Sequence, residues 1–330
     1  MSSPSRAAVI ADHALELTVV GSFSRIGFVA RRALFGWDTK PQPDLHDRTV
    51  VITGATGGLG LAAAHLLAER HAQLVLIGRD AARTEAARRS VIDATPAARV
   101  QTVVADLASL DAVHSAAAQL GAVVPGIDVL IHNAGALTHE RRSTVDDLEV
   151  TAQVHVIAPF LLTTLLLPRL RASADARVIF VSSGGMYTRR LDVDALAYPP
   201  EPFDGVRAYA DAKRAQVVLT DLWTRHSAGR GIAFHAMHPG WADTPGVRES
   251  LPGFRRVMQP LLRSPAQGAD TMVWLAGAPE ARESNGAFWL DRRPRPTTVL
   301  PWTRTPDGEA ERLWNWCIAR SGARLEVEVS

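Results

Sequence analysis

The turn at residues 53–60 constrains the fold of this chain more than any other feature. An apolar strand pattern, Thr49–Thr53, leads directly into Thr-Gly-Ala-Thr-Gly-Gly-Leu-Gly, and a helical pattern follows. In dinucleotide-binding turns of this kind, one glycine permits the sharp turn, a second lets the backbone approach a pyrophosphate, and a third lets the helix pack closely. We assign these tasks to Gly54, Gly58 and Gly60. The N-terminus of the following helix attracts negative charge.

Strand patterns and helical patterns alternate from residue 49 onward. The continuous apolar strands are typical of a sheet that is covered on both faces. The alternation therefore predicts an α/β fold, a Rossmann-type doubly wound parallel sheet in three α/β/α layers. The strand patterns cover residues 49–53, 73–77, 100–104, 127–131, 177–181 and 231–236. The helical patterns cover residues 59–70, 81–93, 109–120, 144–170 and 207–225, with a bend predicted at Pro159.

The length of 330 residues fits one catalytic domain with an addition at each end. We predict an NAD(P)-binding Rossmann catalytic domain at residues 47–300. An N-terminal amphipathic extension and linker, residues 1–46, would precede it, and a tail with a helix, residues 301–330, would follow. Two irregular segments, residues 184–206 and 241–265, follow strand ends on the carboxyl side, where open α/β sheets bind ligands. These segments are candidates for the wall of a substrate pocket.

The N-terminal extension carries apolar residues at helical spacing between residues 11 and 37. Acidic Asp12 and Glu16 precede a broken apolar run, which excludes a signal peptide. The helix is predicted either to lie on a membrane surface or a partner, or to pack on the protein's own core. The apolar residues of this pattern are Leu15, Val19, Phe23, Ile26, Ala30, Leu34 and Trp37.

Composition narrows the function classes. The net charge is only +2 and no basic block stands out, so we predict no nucleic-acid partner. The single cysteine, Cys317, excludes an intramolecular disulfide, suits a reducing cytoplasmic compartment and is expected to be a small buried hydrophobe. No HExxH or Cys/His cluster occurs, so no metal is predicted. The uncharged stretch 151–168 is read as a buried core helix rather than a membrane span.

A tyrosine and a lysine lie four residues apart in the predicted helix at 207–225. Side chains at positions i and i+4 share one helix face, so Tyr209 and Lys213 are expected to be neighbours. The lysine ammonium can favour the tyrosinate and so lower the pKa of the phenol. The pair can move a proton beside a bound dinucleotide.

The end of the second predicted strand bears on the type of dinucleotide. NAD sites typically place an acid there, on the ribose 2′-hydroxyl, whereas this chain has Gly78-Arg79-Asp80. Gly78 offers no carboxylate, and Arg79 can pair with a 2′-phosphate. The sequence therefore favours NADP over NAD. The alternative is a solvated arginine, with Asp80 as the N-cap of the next helix.

Taken together, these motifs resemble the short-chain dehydrogenase/reductase family over about residues 48–290. They are the glycine turn, His132-Asn133-Ala134-Gly135 after the fourth strand, Ser182-Ser183 after the fifth, and the Tyr/Lys pair. Within the family, the runs PFDGVRAYADAKRAQVVLT and MHPGWADTPGVRESLPGF resemble the subfamily of dehydrogenase/reductase member 12, which also has an N-terminal extension.

The resemblance implies roles for individual residues. Ser183 would hydrogen-bond the substrate oxygen, Tyr209 would be the general acid in reduction, and Lys213 would hold the nicotinamide ribose and tune Tyr209. The residues implied in cofactor binding are Thr53, Gly54, Thr56, Gly57, Gly58, Leu59, Gly60, Arg79, Asp106, Leu107, Asn133, Ala134, Gly135, Tyr209, Lys213, Pro239, Gly240 and Thr244.

Three features depart from the family pattern: two residues and one interval. His132 stands where the family commonly has asparagine, and His155 falls where a proton-relay asparagine is usual. Histidine can relay a proton, so His155 is a candidate catalytic residue; the alternative is a packed helix residue with the relay completed by water. The interval between Ser183 and Tyr209 is long, so Ser182 is also a candidate donor, although the family pattern favours Ser183.

The expected function is NADP-dependent interconversion of a carbonyl and an alcohol. Alternatives are a sensor or scaffold that binds the cofactor with little turnover, and a protein recruited to membranes through residues 11–37. A homodimer is left open. The irregular segments suggest an apolar substrate, because they carry Met186, Tyr187, Leu191, Tyr198, Phe203, Trp241, Val247 and Phe254.

Overall fold

An eight-stranded sheet runs through the computed structural model, which describes residues 5–199 and 201–325. Its strands lie in the order β3-β2-β1-β4-β5-β6-β7-β8, parallel except for β8, which pairs antiparallel with β7. The predicted doubly wound Rossmann sheet is confirmed. The strands are β1 (Thr49–Thr53), β2 (Gln73–Gly78), β3 (Arg99–Val104), β4 (Val129–His132), β5 (Ala176–Val181), β6 (Ile232–Met237), β7 (Phe288–Leu290) and β8 (Arg293–Arg295).

Helices cover both faces of this sheet. One apolar core joins the sheet to α6, α8 and α10, and a second joins the opposite face to α4, α5 and α13. The helices are α1 (Arg6–Glu16), α2 (Val19–Phe23), α3 (Arg25–Leu34), α4 (Gly58–Ala68), α5 (Ala81–Ala94), α6 (Leu110–Val123), α7 (Val150–Ala152), α8 (Ala158–Arg171), α9 (Val193–Ala197), α10 (Gly205–His226), α11 (Pro245–Ser250), α12 (Pro252–Met258), α13 (Pro265–Leu275), α14 (Pro279–Glu283) and α15 (Glu309–Ser321).

The helix predicted at residues 144–170 begins later than expected. Glu149 caps α7 by accepting from the backbone N–H of Ala152, and the residues before it form a loop closed by a bridge between Ser143 and Glu149. The irregularity expected at Pro159 lies one turn earlier, as a π-helical turn over Gln153–Ile157. Such single turns are often found at functional sites.

The apolar stretch in this region is a core helix. The run Val150–Arg171 is long and apolar enough to cross a membrane, but 89% of its most apolar window is buried inside the protein. Burial of this kind is the outcome expected for a helix that packs between a sheet and its neighbours. The interpretation of residues 151–168 as a buried core helix is therefore confirmed.

The N-terminal extension is three helices rather than one continuous amphipathic helix. Thr18 caps α2 by accepting from Gly21, and Ser24 caps α3 by accepting from Ile26. These two hydroxyl caps break the periodicity, so the predicted face is divided. Trp37 is buried, whereas Val19 is exposed.

Buried ion pairs join this extension to the far edge of the sheet. The Arg31 guanidinium, with no exposed surface, donates to Asp12 at 2.7 Å and to Asp291 at 2.8 Å. Arg263 donates to both oxygens of Asp291, at 2.6 and 2.9 Å. Arg295, on β8, donates to Asp12 at 2.8 and 2.9 Å. We call Asp12, Arg31, Arg263, Asp291 and Arg295 the buried ion cluster. Removing one partner from such a cluster leaves a charge uncompensated.

The predicted boundaries of the N-terminal extension and the C-terminal tail stay predictions. Residues 1–4 and 326–330, parts of the predicted extension and tail, lie outside the described residues, as does residue 200. In the tail, α15 packs its buried face on α8 and α10, with the Trp314 ring 5.0 Å from that of Phe160. Cys317 on this helix has no exposed surface, and burial raises the pKa of its thiol. The expectation of a buried Cys317 is confirmed.

Candidate active site

The glycines of the turn between β1 and α4 have two kinds of surroundings: some lie against protein atoms, and one faces open space. Gly54 has φ 65°, and a Cβ there would lie 2.6 Å from the Cα of Ala134. A Cβ at Gly60 would lie 2.4 Å from the carbonyl oxygen of Gly54. In contrast, a Cβ at Gly57 would meet nothing within 4 Å, and Gly57, the N-cap residue of α4, provides no side-chain cap. An uncapped helix N-terminus that faces free space fits a diphosphate.

The loop after β4 is fastened to this turn. The Asn133 amide donates to the carbonyl oxygens of Thr53 at 3.0 Å and Gly54 at 3.1 Å. The Thr53 hydroxyl accepts from the N–H groups of Asn133 and Ala134 and is fully buried. The side chains of Thr53 and Asn133 thus hold the backbone of the cradle, since their polar atoms are engaged with protein groups.

The end of β2 differs from the acid-bearing pattern in a way that sterics explain. A Cβ at Gly78 would lie 2.3 Å from the Thr84 hydroxyl and 2.5 Å from the Thr56 methyl group, so a side chain there would collide. Arg79 is exposed, and no residue in the described ranges pairs with its guanidinium. Asp80 caps α5 by accepting from Arg83. Arg79 is therefore free to meet an anion beside the glycine turn.

Other residues implied in cofactor binding line the same edge of the sheet. Asp106 is exposed after β3, whereas Leu107 is buried in the core. Thr244 caps α11 and lies over the glycine turn. A Cβ at Gly58 would be 3.4 Å from the Cβ of Thr244. Gly240 has φ 70°. Leu59 packs on α13, and Pro239 accepts a hydrogen bond from Arg263 through its carbonyl oxygen.

The two serines after β5 have different environments. The Ser182 hydroxyl is buried and donates to the backbone carbonyl of Lys213 at 2.8 Å. Ser183 is partly exposed, and its hydroxyl lies close enough to Tyr209 to lower the pKa of the phenol. Ser182 is thus engaged in holding α10 against β5, and Ser183 faces the tyrosine.

Tyr209 and Lys213 lie together on one face of α10, as the spacing predicts. The Lys213 Nζ is 5.4 Å from the centre of the Tyr209 ring and donates to the carbonyl oxygen of Val181 at 2.7 Å. Burial lowers the pKa of Lys213 to about 7. Burial also raises the pKa of Tyr209 to about 12, although the hydrogen bond from Ser183 acts in the opposite direction. The phenol therefore holds its proton until charge develops on a neighbouring group.

A glutamine links Lys213 to the π-helical turn. The Gln216 side-chain oxygen accepts from Lys213 at 3.1 Å, and its amide donates to the backbone carbonyl of His155 at 2.9 Å. All three residues are buried. This side-chain bridge runs from the lysine to the backbone of the helix position at which the family usually has asparagine.

The side chain of His155 serves the loop after β4. Its Nε2 lies 3.0 Å from the N–H and 2.8 Å from the carbonyl oxygen of Ala136, so the ring is tied to that backbone. A Cβ at Gly135 would lie 2.7 Å from the ring, which makes a glycine necessary there. Burial and the nearby Lys213 lower the pKa of His155 well below its ordinary value. The ring is neutral and sits edge-on to Tyr209, with centres 5.3 Å apart.

His132, the other departure from the family pattern, is part of the core. Its Nε2 is 2.8 Å from the hydroxyl of Thr163, its ring stacks on Phe180, and burial lowers its pKa to about 3. It ends β4 without facing the cleft.

The residues expected to line a substrate pocket divide into two groups. Met186 and Leu191 are fully buried in the main core, so the prediction that they face a pocket is wrong. Tyr187 and Trp241, from the two irregular segments, both contact Phe23 of α2, with ring centres 6.4 and 5.7 Å apart. An aromatic side chain from the N-terminal extension thus lies between the two segments.

The sequence comparison decides the family. The family profile described as short chain dehydrogenase matches residues 48–253. The chain belongs to the short-chain dehydrogenase/reductase family. Dehydrogenase/reductase SDR family member 12 from Bos taurus is 41% identical over 265 residues, covering 80% of this chain and 82% of its own length. The predicted closeness to that subfamily is confirmed.

Two further similarities extend this result. Retinol dehydrogenase 12 from Homo sapiens is 31% identical over 298 residues, covering 90% of this chain and 93% of its own. The structure of L-sorbose reductase from Gluconobacter frateurii, complexed with NADPH and L-sorbose, has a TM-score of 0.62 at 22% identity and covers 76% of this chain and 96% of its own. Short-chain dehydrogenase/reductases are NAD(P)-using oxidoreductases that act on small molecules, and this chain is one of them.

Three residues at this site, Phe23, Gln216 and Arg263, are not predicted from the sequence. Gln216 follows Lys213 by one helical turn, which is a detectable signal, since i,i+3 side chains are neighbours. Phe23 and Arg263 carry no such signal. Phe23 lies about 160 residues before Ser183, and Arg263 about 50 residues after Tyr209. Tertiary packing brings them to the site, and residue spacing in the sequence does not predict such packing.

Proposed function

We propose that this protein is an NADP-dependent oxidoreductase that interconverts a carbonyl and an alcohol on an apolar small molecule. The observation that carries the proposal is the placement of the Tyr209 phenol beside Lys213, with Ser183 near enough to lower the pKa of the phenol, at the same sheet edge as the open glycine cradle. This arrangement is suited to proton transfer to a carbonyl oxygen that lies next to a bound dinucleotide.

Each polar group has a distinct task. The cofactor, when bound, supplies the hydride. Ser183 donates a hydrogen bond to the substrate oxygen and orients it. Tyr209 donates its proton to that oxygen in reduction and accepts it back in oxidation. Lys213, held by Val181 and Gln216, stabilises the tyrosinate that forms and binds the ribose hydroxyls. The open space at Gly57 and the N-terminus of α4 would receive the diphosphate.

Arg79 supports NADP as the cofactor. Its exposed guanidinium has no partner within residues 5–199 and 201–325 and follows the strand that ends beside the glycine turn. A guanidinium can bind a 2′-phosphate bidentately. The fold neighbour L-sorbose reductase was crystallised with NADPH. NAD is the less favoured alternative.

Aromatic side chains at the cleft support an apolar substrate. Trp241 contacts Phe254 edge-on at 5.4 Å between ring centres and also contacts Phe23. Aromatic side chains that line a cleft favour apolar ligands. The relative that is named retinol dehydrogenase points to the same class of compound.

NADPH consumption tests the proposal directly. Purified protein is mixed with NADPH and a panel of aldehydes, ketones and quinones, and NADPH absorbance is followed. We expect at least one carbonyl compound to be reduced. Tyr209→Phe should lose about 10²–10⁴-fold in kcat/KM, because general acid catalysis is worth that much, while NADPH binding stays nearly intact. Val145→Ala, at an exposed loop position, is the control.

The alternative of a cofactor-binding sensor makes the opposite prediction. A sensor would bind NADPH tightly and consume none of it with any compound in the panel. Turnover in Tyr209→Phe within about threefold of wild type would contradict the assignment of the general acid.

We also propose peripheral membrane contact through the N-terminal helices of a protein that is otherwise cytoplasmic. The three helices pack together and leave several large apolar side chains exposed, while Arg6 and Arg25 are exposed on the same helices. Apolar side chains with basic neighbours suit an anionic lipid surface. The exposed large apolar residues are Ile10, Leu17, Val19, Val20, Ile26, Val29 and Leu34.

Sedimentation with phosphatidylcholine–phosphatidylserine vesicles tests this contact. Wild type should pellet with the vesicles, and the double variant Leu17→Glu/Ile26→Glu should stay in the supernatant with its NADPH affinity retained. Val145→Glu, at an exposed apolar position outside the extension, should pellet like wild type. Wild type that never pellets would end the proposal. The same preparations, examined by analytical ultracentrifugation, test the homodimer that the sequence leaves open.

A further inference from the structure

We propose that Phe23, supplied by the N-terminal extension, closes the substrate side of the active site and limits the size of the substrate. The inference deepens the proposed carbonyl–alcohol chemistry and rests on it. It assigns a specificity-determining role to a segment that lies outside the matched family region at residues 48–253.

The position of the Phe23 ring supports this role. A Cβ at Gly184, the residue after Ser183, would lie 3.2 Å from the tip of the ring. The ring also meets His238 edge-on, with centres 4.9 Å apart, and Trp241 at 5.7 Å. Phe23 therefore stands between the segment that carries the substrate-binding serine and the loop after β6. Its side chain is only partly buried, so part of the ring borders free space.

The backbone around Phe23 is held at three consecutive carbonyl oxygens. That of Phe23 accepts from the N–H of Trp241 at 2.8 Å. Those of Ser22 and Ser24 accept from Arg263, at 3.0 and 3.2 Å. Arg263 is itself fixed by both oxygens of Asp291. A segment held by a buried guanidinium moves little, because releasing it would take carbonyl acceptors away from buried N–H donors.

The close approach depends on small residues opposite the segment. Gly240 has φ 70°, and a Cβ there would lie 2.6 Å from the carbonyl oxygen of Phe23. Gly184 likewise leaves room for the ring itself. Since both positions lack side chains, the ring can lie directly against the residue that follows Ser183. A rigid aromatic wall rejects large ligands by collision instead of adapting to them.

Two aryl ketones of different size test the inference: acetophenone and methyl naphthyl ketone. For wild type, Phe23→Ala, Phe23→Leu and the control Val20→Ala, we would measure kcat/KM for each ketone with NADPH. The Kd of each ketone would also be measured with NADP⁺, where no hydride is available. Two ratios compare the naphthyl ketone with acetophenone: one of kcat/KM and one of Kd. We expect Phe23→Ala to shift both ratios in favour of the naphthyl ketone by at least about tenfold, in line with the discrimination that steric contacts provide. Phe23→Leu should give a smaller shift. Val20→Ala, an exposed position on the same helix, should give none.

The outcomes separate this inference from the proposed function. If wild type reduces neither ketone, the proposed chemistry is contradicted for this class, and the ratio of dissociation constants still decides on Phe23. Ratios in Phe23→Ala and Phe23→Leu equal to those of wild type would overturn the inference, as would a failure of both ketones to bind to every variant. Should Phe23→Ala not fold, Phe23→Leu alone decides, because it keeps an apolar side chain at the position.

Discussion

The cofactor side and the substrate side of this active site are built in different ways. The cofactor side comes from neighbouring strands and the turns that follow them, and its hydrogen bonds join the residues of one glycine turn to one loop. The substrate side joins segments from the start, the middle and the end of the chain: α2, the residues after Ser183, the loop after β6, and β8.

The difference lies in what holds each side together. Glycines, and hydrogen bonds between the backbone and the neutral side chains of Thr53 and Asn133, fix the cofactor cradle. A buried ion cluster fixes the substrate wall. Neutral contacts of the first kind can be predicted from a motif. Charges buried far apart in sequence cannot, because each requires a partner that only the tertiary structure brings near.

The largest expected effect is the loss of stability when the buried ion cluster is broken. Asp291→Asn keeps the size of the side chain and tolerates φ 53° at this position, but removes the charge that Arg31 and Arg263 share. We expect the free energy of unfolding to fall by about 3–5 kcal/mol. The measurement is chemical denaturation.

Asp38→Asn is the matched control, because Asp38 pairs with Arg32 at an exposed position. It should cost far less than Asp291→Asn, because exposed ion pairs are screened by solvent and contribute little to stability. If the substrate side is a separate unit, the remaining folded Asp291→Asn protein should bind NADPH like wild type while its ketone kinetics change. A matching loss of NADPH affinity would remove the distinction between the two sides.

The second effect acts on the cofactor side alone. Arg79→Ala should weaken NADPH binding by about 10–100-fold, because charge-assisted hydrogen bonds are worth about 1.5–3 kcal/mol. NADH binding and thermal stability should hardly change. Titration by tryptophan fluorescence measures both cofactors. Arg89→Ala is the control, since Arg89 is exposed on α5 and pairs with Glu85. An Arg79→Ala protein that keeps its preference would place the arginine outside the cofactor site.

The substitution Gly78→Asp, which would add a carboxylate at the end of β2, is a poor companion to Arg79→Ala. A Cβ at Gly78 would collide with Thr84 and Thr56. Such a variant would disturb the cradle itself, so a change in its cofactor preference would have two causes.

The smallest effect is a pH dependence at the point where the two sides meet. The pKa of Lys213 is lowered to about 7 in the folded protein, whereas an unfolded lysine titrates near 10.4. Between these values the unfolded chain binds one more proton, so this residue makes the protein more stable as pH rises. Without cofactor, the free energy of unfolding of wild type should rise by about 1 kcal/mol relative to that of Lys213→Met between pH 7.5 and 8.5. Well below pH 7 the difference between the two proteins should not change with pH. A constant difference across that range would show a lysine with an ordinary pKa.

Much of the fold could be predicted because it depends on local patterns. Strands such as Thr49–Thr53 and Ala176–Val181 are continuous apolar runs, and the i,i+4 spacing alone brings Tyr209 beside Lys213. The strands Phe288–Leu290 and Arg293–Arg295 were missed, because three residues give no periodicity and Arg-Pro-Arg is typical of a loop.

The substrate wall was predicted less well for a physical reason. The apolar spacing in the extension suggested one helix, but hydroxyl caps at Thr18 and Ser24 divide it. Of the two alternatives for that helix, packing on the protein is found, and membrane contact stays a proposal. The face that bears Arg31 packs on the protein, whereas side chains such as Leu17 remain exposed. Met186 resembled a pocket residue because an irregular segment gives no indication of which side chains turn inward.

The burial of Cys317 on α15 has a practical consequence. Because this sulfhydryl is the only one in the sequence and has no exposed surface, reagents that modify thiols should leave the native protein untouched. Quinones and enals can then be assayed without arylation or alkylation of a thiol on the enzyme. A cysteine introduced at Val20 and another at Val145, both exposed, would be the sole attachment points for a pair of spectroscopic labels. The distance between those labels would report in solution whether the N-terminal helices stay docked while substrate enters and product leaves.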